Sequence, residues 1–144
     1  MIEGGDTNEE VVFENDLWHV HHLGKPHGVA GWMMLIAKQH VAGPWAFDDR
    51  QGASLGPTIR HIGAALLDIT GALRIYTAWM GESWPHFHAH LIPRYSEMPK
   101  DAKGWGVFDL QRAAGAGEIE VDLADVAAKT RAPRDRLRAS PPPA

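Results

Sequence analysis

The stretch Gly81–Tyr95, "GESWPHFHAHLIPRY", places His86, His88 and His90 at every second position, with Phe87, Ala89 and Leu91 between them. A period of two is the signature of a β-strand, because alternate side chains point to opposite faces of a sheet. One face of this strand is apolar and must be covered by a core. The other carries a row of imidazoles. "ALRIYTAWM" just upstream reads as a second strand, with "GESW" as a tight connection, so the two form an antiparallel hairpin. The apolar parity needs a partner. Leu55, Ile59, Ile62, Leu66 and Ile69 fall at spacings of three and four within "SLGPTIRHIGAALLDITG". That is an amphipathic helix, with Ser54 as its expected N-cap and Gly71 as its stop.

"VVFENDLWHVHHL" reads as two short strands around an "END" turn, "GKPHGVAG" as a loop and "WMMLIA" (32–37) as a buried strand. "KQHVAGPWAFDDRQGAS" is expected to be a loop or a short helical turn. After Pro93 the pattern weakens. "PKDAKGWGVF" is loop-like, and "VDLADVAAKT" suits a short helix with Leu123 and Val126 apolar. "RAPRDRLRASPPPA" is basic and proline-rich, which suggests a mobile arm or a segment that docks on a partner. The expected organisation is a mobile acidic end over 1–10, a domain over 11–112 and an extension over 113–144 with a short helix and a basic tail.

A chain of 144 residues suits one core, and a net charge of −4 argues against a binder of DNA or RNA polymers. A small anionic ligand needs few cations and stays possible. Without cysteine there are neither disulfides nor thiolate metal ligands. No apolar run has the length of a membrane span, and "MIEGGDTNEE" lacks the apolar centre of a secretory signal. The expectation is a soluble cytoplasmic protein.

Nine histidines are many for this length, and they cluster: His19, His21, His22 and His27 in one segment, the alternating three in another. Two chemistries fit the alternating row. Metal binding is one. Three alternate residues span about 13 Å of strand, so converging all three on one ion at ~2.0–2.1 Å is awkward. Two of them with His19 or His21 is feasible. Covalent catalysis is the other. A neutral imidazole can attack phosphorus to give a phosphoramidate that water then cleaves. The attacking ring needs its second nitrogen held by an acceptor, and the phosphate needs donors around it. Histidines two residues either side on the same face are placed for that, and Ser83 adds a hydroxyl. No phosphate-binding Gly-x-x-x-x-Gly-Lys loop and no Gly-x-Ser-x-Gly elbow occurs.

"HFHAHLI" resembles the signature of the histidine triad (HIT) family, His-φ-His-φ-His-φ-φ with φ apolar. "LIPR" resembles its continuation, "GES" its Gly-Gln-Ser/Thr, and "GWMMLIAKQHV" its upstream strand, usually Gly-His-x-Leu-Val-x-Pro-Lys-x-His. The resemblance runs in order over about residues 17–110, and includes bacterial HIT-like and diadenosine tetraphosphate hydrolase-like proteins. It implies an α+β fold with an antiparallel sheet of about five strands and one long helix, usually in a homodimer. It also implies hydrolysis or nucleotidyl transfer at the α-phosphate of a nucleotide or dinucleoside polyphosphate-like molecule, without a metal or other cofactor. By motif position His88 would be the nucleophile, His86 and His90 would orient it and contact phosphate, and Ser83 would serve the phosphate or the leaving group.

The chain departs from the pattern at three places. Trp32 stands where many members carry a fourth histidine, and tryptophan donates one N–H and accepts nothing, so a relay through that position is lost. Glu82 replaces glutamine, putting an acid near the phosphate. Tyr76–Met80 lacks the asparagine often found near the hairpin turn. A nucleotide-binding protein with weak or no catalysis is therefore an alternative, as is a metal-binding protein using His-x-His pairs. Glu82, Trp84, Trp32, His21 and His22 form the candidate substrate-binding set. His19 and His21 share a strand face and either border the pocket or form an exposed edge. Trp84 could wall the leaving-group side and Trp105 could cover a patch in a dimer. His40 is expected at the surface or as a cap, and His61 in a structural role.

Overall fold

The computed structural model describes residues 11–143, so the acidic segment 1–10 lies outside the described residues. Five strands, β1 (Val11–Glu14), β2 (Trp18–His22), β3 (Met33–Ala37), β4 (Arg74–Ala78) and β5 (His88–Arg94), form one sheet in the order β1-β2-β3-β5-β4. Every neighbouring pair is antiparallel. The expected α+β architecture is what the chain adopts. The "END" turn is also as expected: the Asn15 side-chain oxygen accepts from the backbone N–H groups of Leu17 (3.0 Å) and Trp18 (2.9 Å), which reverses the chain between β1 and β2.

β3 explains its own composition. It is the middle strand, and both of its faces are buried. Met33, Leu35 and Ala37 join one core cluster, while Met34 and Ile36 join the other. A strand covered on both sides reads as a continuous apolar run.

The first cluster lies beneath helix α1 (Asp49–Thr70), where Ile62, Ala65 and Leu66 meet Val20, Met33, Leu35, Phe87, Ala89 and Leu91. Gly71 ends the helix in the left-handed region at φ 67°, as expected of a C-terminal stop. The start differs from the sequence expectation. Asp48, not Ser54, is the N-cap, and it forms a reciprocal capping box with Gln51. Ser54 is buried inside the helix, where its hydroxyl accepts from the Trp18 indole N–H at 2.9 Å and lies 3.1 Å from the Thr58 hydroxyl. Its polarity marks a buried anchor for Trp18 rather than a helix end.

The C-terminal region is more ordered than its composition suggests. "PKDAKGWGVF" makes two 3-10 turns and then enters a helix, α2 (Val107–Gly115). The expected short helix is long: α3 runs from Leu123 to Ala139, through the segment read as a mobile arm, with Pro133 in its interior. Val126, Pro133 and Leu137 lie on its buried face. Arg134 donates to the Val11 carbonyl at 3.0 Å, Arg136 pairs with Asp68 at 2.5 Å, and the His61 ring bonds the Ser140 carbonyl at 2.7 Å. These contacts tie α3 to β1 and α1, and burial of Val126, Pro133 and Leu137 offsets the backbone bond that an interior proline removes. His61 thus has the structural role expected of it. The other sheet face is covered by a second cluster of Leu23, Val29, Trp32, Met34, Ile36, Ile92 and Val107, with Phe108 of α2 packed against it. The imidazole face is therefore partly roofed, not open.

Leu137 tests whether the tail is part of the folded body. It is 1% exposed and packs in the first cluster. Leu137→Ala should lower the unfolding free energy by ~2–5 kcal/mol. Urea denaturation followed by tryptophan fluorescence measures this, and an unchanged midpoint would mean that α3 does not hold the core.

Candidate active site

β5 begins at His88, one alternation later than the sequence pattern suggests, so His86 lies just ahead of the strand. The approach is nonetheless held as an extension of the sheet. Phe87 N–H donates to the Val41 carbonyl at 2.7 Å, and Ala37 N–H donates to the Phe87 carbonyl at 3.3 Å. The β3–β5 register sets Ile36 opposite His88 and Met34 opposite His90. Phe87, Ala89 and Leu91 are in the α1-side core, as their parity requires.

Each ring of the triad has a defined hydrogen-bonding partner, and the partners assign the protons. His88 Nδ1 lies 2.8 Å from the His86 carbonyl oxygen. A carbonyl only accepts, so Nδ1 carries the proton and Nε2 keeps a lone pair. His90 Nδ1 accepts the Trp32 indole N–H at 3.0 Å. In the neutral ring the proton therefore sits on Nε2. His86 Nε2–H donates to the Ala37 carbonyl at 2.5 Å, which leaves His86 Nδ1 to accept from His40 Nδ1–H at 3.0 Å. One acceptor nitrogen and one donor nitrogen result on neighbouring rings, His88 and His90, whose centroids are 5.5 Å apart.

Aromatic groups enclose the pair. Trp84 stacks on His88 (4.9 Å, 27°) and on His86 (5.2 Å, 14°). Stacking covers ring faces and leaves an in-plane lone pair unobstructed. Trp32 and Phe108 each meet His90 edge-on, at 5.6 and 5.2 Å. Burial pushes the His90 pKa down to about 4, with nearby His88 adding to the effect.

The other sequence candidates divide. Trp32 is buried against His90, and Trp84 lies on the triad. Glu82 and Ser83 are exposed in the bend before the triad. His19 and His21 share the triad's sheet face, since they stand opposite Ile36 and Met34, and their rings stack at 5.7 Å. His21 is 3% exposed, so it is no exposed edge; its Nδ1–H donates to the His22 carbonyl at 3.1 Å, and burial lowers its pKa. His22 is turned to the opposite face, opposite Met33. Its Nδ1–H donates to the Leu23 carbonyl at 2.9 Å and its Nε2 accepts from Gly31 N–H at 2.9 Å. The two bonds thus brace the connection from Leu23 to Gly31, and His22 does not join the triad.

Two site residues escaped the sequence reading. His40 is exposed as expected, yet it holds His86; its signal was its match to the last histidine of the Lys-x-His that closes the family's upstream strand pattern. Phe108 sits in a segment read as loop. The Val107 and Leu110 spacing of three was the signal for α2 that could have found it. Among the described residues no group of three His, Asp or Glu side chains is arranged to hold a metal ion. No helix among them is long and apolar enough to cross a membrane.

No protein-family model and no curated protein matches the sequence. Solved structures do match the fold. A histidine triad protein from Bradyrhizobium japonicum aligns over 94% of this chain and 96% of its own at TM-score 0.69 and 20% identity. A HIT protein from Sinorhizobium meliloti aligns over 91% and 93% at TM-score 0.66 and 16% identity. A hypothetical histidine triad nucleotide-binding protein from Sulfolobus tokodaii aligns over 90% and 84% at TM-score 0.65 and 17% identity. The chain has the histidine triad fold.

His22 gives the site's support a measurable pH signature. Burial, its largest influence, lowers its pKa to about 4, against 6.5 in an unperturbed ring. The unfolded chain then binds the extra proton first. Stability from this group is complete above about pH 6.5 and falls as the pH drops toward 4, by about 1.4 kcal/mol per pH unit. His22→Gln, whose amide can still accept from Gly31, should flatten that fall in denaturation midpoints measured from pH 7 to 4. An unchanged slope would mean that His22 is not held neutral.

Proposed function

We propose that the chain cleaves nucleotides at the α-phosphate through a nucleotidyl-histidine formed on His88. The observation that carries this reading is the His88 Nδ1–H bond to the His86 carbonyl at 2.8 Å, which orients a free Nε2 lone pair on a ring flanked by the His90 donor. Attack by Nε2 on phosphorus puts positive charge on the His88 ring, and the His86 carbonyl is placed to accept from that ring throughout. His90 Nε2–H serves a phosphoryl oxygen, where preorganised donors do most of their work. Water, or another acceptor, then takes the nucleotidyl group. The fold shared with a histidine triad nucleotide-binding protein supports a nucleotide-like ligand. Ser83 keeps a supporting role as a hydroxyl donor beside the triad, and Glu82 lies exposed where it can turn away from an anion.

The metal reading has less support, because Nδ1 of each triad ring and Nε2 of His86 are already engaged by protein groups. The homodimer implied by the resemblance stays part of the proposal. Trp105, 69% exposed, is an apolar group that a second copy could cover.

His88→Ala should abolish turnover of an activated aryl ester of AMP while nucleotide binding, read by calorimetry, persists. Wild-type protein quenched during turnover should carry an acid-labile nucleotide label on His88. Near-normal kcat in the variant would sink the covalent path.

A further inference from the structure

Resting on that covalent reading, we propose that Trp32 makes His90 a donor-only ring, so the site selects nucleotides whose leaving group departs as a stable anion. The favoured substrates are anhydrides, in which a phosphate, polyphosphate or carboxylate leaves. Nucleoside phosphoramidates of alkylamines, whose nitrogen must gain a proton to leave, are disfavoured.

The argument is an inventory of protons. To act as an acid, a neutral imidazole must first become imidazolium. For His90 the new proton would go on Nδ1, which faces the Trp32 N–H at 3.0 Å. Two donors would then oppose each other, and tryptophan has no acceptor to offer instead. Trp32 is 1% exposed, so the indole has little room to turn away. Among the described residues, the rings packed on His90 are those of Trp32, Phe108 and His88, and no carboxylate is among the groups that influence its charge. The low His90 pKa agrees with this.

The other two triad rings do not fill the gap. His86 uses Nε2 on the Ala37 carbonyl and Nδ1 on His40, so the His40–His86 chain ends at a backbone carbonyl rather than at a reacting atom. His88 keeps its Nδ1 proton on the His86 carbonyl and spends Nε2 in the attack. Ser83 is exposed, and a neutral hydroxyl lends a hydrogen bond without giving up its proton.

In the first step the His88 Nε2 lone pair forms the N–P bond. The P–O bond to the leaving group breaks, and its electron pair leaves with the oxygen. An anhydride oxygen carries that charge as phosphate or carboxylate, and no proton moves. In the second step a water oxygen forms a P–O bond, the N–P bond breaks, and its pair returns to Nε2. The water proton goes to solvent. An alkylamine differs in the first step. Its P–N bond breaks onto a nitrogen that must be protonated to depart, and the triad holds no acid to do it. General-acid help of this kind is typically worth ~10²–10⁴-fold.

The test is kcat/KM over a set of AMP derivatives of graded leaving-group basicity: aryl esters, a phosphoric anhydride and an alkylamine phosphoramidate. Wild-type rates should fall steeply with basicity. Trp32→His, which returns an acceptor beside His90 Nδ1, should raise the ratio of phosphoramidate to aryl-ester turnover by ~10²-fold or more. A flat wild-type series, or an unchanged ratio in the variant, would overturn the inference. Nitrogen-15 NMR of the unmodified protein decides separately, whether or not the variant folds. His90 should show a proton on Nε2 and a bare Nδ1 between pH 8 and 5, and a proton on Nδ1 overturns the inference. Failure of wild type to turn over even the aryl esters, with His90 in the expected tautomer, would instead overturn the covalent reading.

Discussion

Pairing of β3 with β5 sets Ile36 against His88 and Met34 against His90, and the site's geometry follows from that register. A slip of one residue would turn the imidazoles into the α1-side core and Phe87, Ala89 and Leu91 out of it. The apolar parity makes that slip costly, since Ala89 and Leu91 are completely buried. The same register brings the end of β3 beside the triad. Ala37 thus offers its carbonyl to His86, and Trp32, just before β3, reaches His90. Packing energy on one face of the sheet is what holds hydrogen-bond geometry on the other.

The strands and the parity of the triad were legible because alternation leaves little choice of structure. β3 was legible as buried for the opposite reason, the lack of any alternation. Errors came where polarity had a tertiary cause. Ser54 looked like a cap because serine favours caps, but its hydroxyl is there to accept from Trp18 in the interior. The basic, proline-rich tail looked mobile because few of its residues are apolar. Three buried positions in α3 and the ties of Arg134 and Arg136 to β1 and α1 outweigh that composition. The site divides the same way. The triad could be read from spacing alone, whereas His40 and Phe108 reach it through loop and helix placement that spacing does not encode.

Histidine clustering had two separate origins. His22 is consumed by architecture, with both nitrogens bonded to the connection over 23–31. Gly28 in that loop shows how tightly it is held: a Cβ there would lie 2.4 Å from the Gln111 backbone nitrogen, and its N–H donates to the Gln111 side chain at 2.6 Å. The loop therefore locks β2 and β3 to α2, the helix that carries Phe108. A histidine outside the chemistry thus helps to place the roof of the triad. Its low pKa serves this role, because a protonated ring could no longer accept from Gly31.

On the proposed path the His88 ring gains a positive charge when it attacks and loses it when water takes the nucleotidyl group. The nucleotidylated ring is positive until water releases it. A cation on this half-buried ring needs compensation. The His86 carbonyl supplies part, as an acceptor already in place. Trp84 supplies another, since an indole face 4.9 Å from the ring attracts a cation by ~0.5–2 kcal/mol. Neither group needs to move when the charge appears, so neither costs reorganisation at the moment of attack. His90 adds no second positive charge beside it, because burial pushes its pKa down to about 4 and its Nδ1 faces the Trp32 N–H. The two tryptophans therefore act on the charge in complementary ways, one favouring it on His88 and the other excluding it from His90.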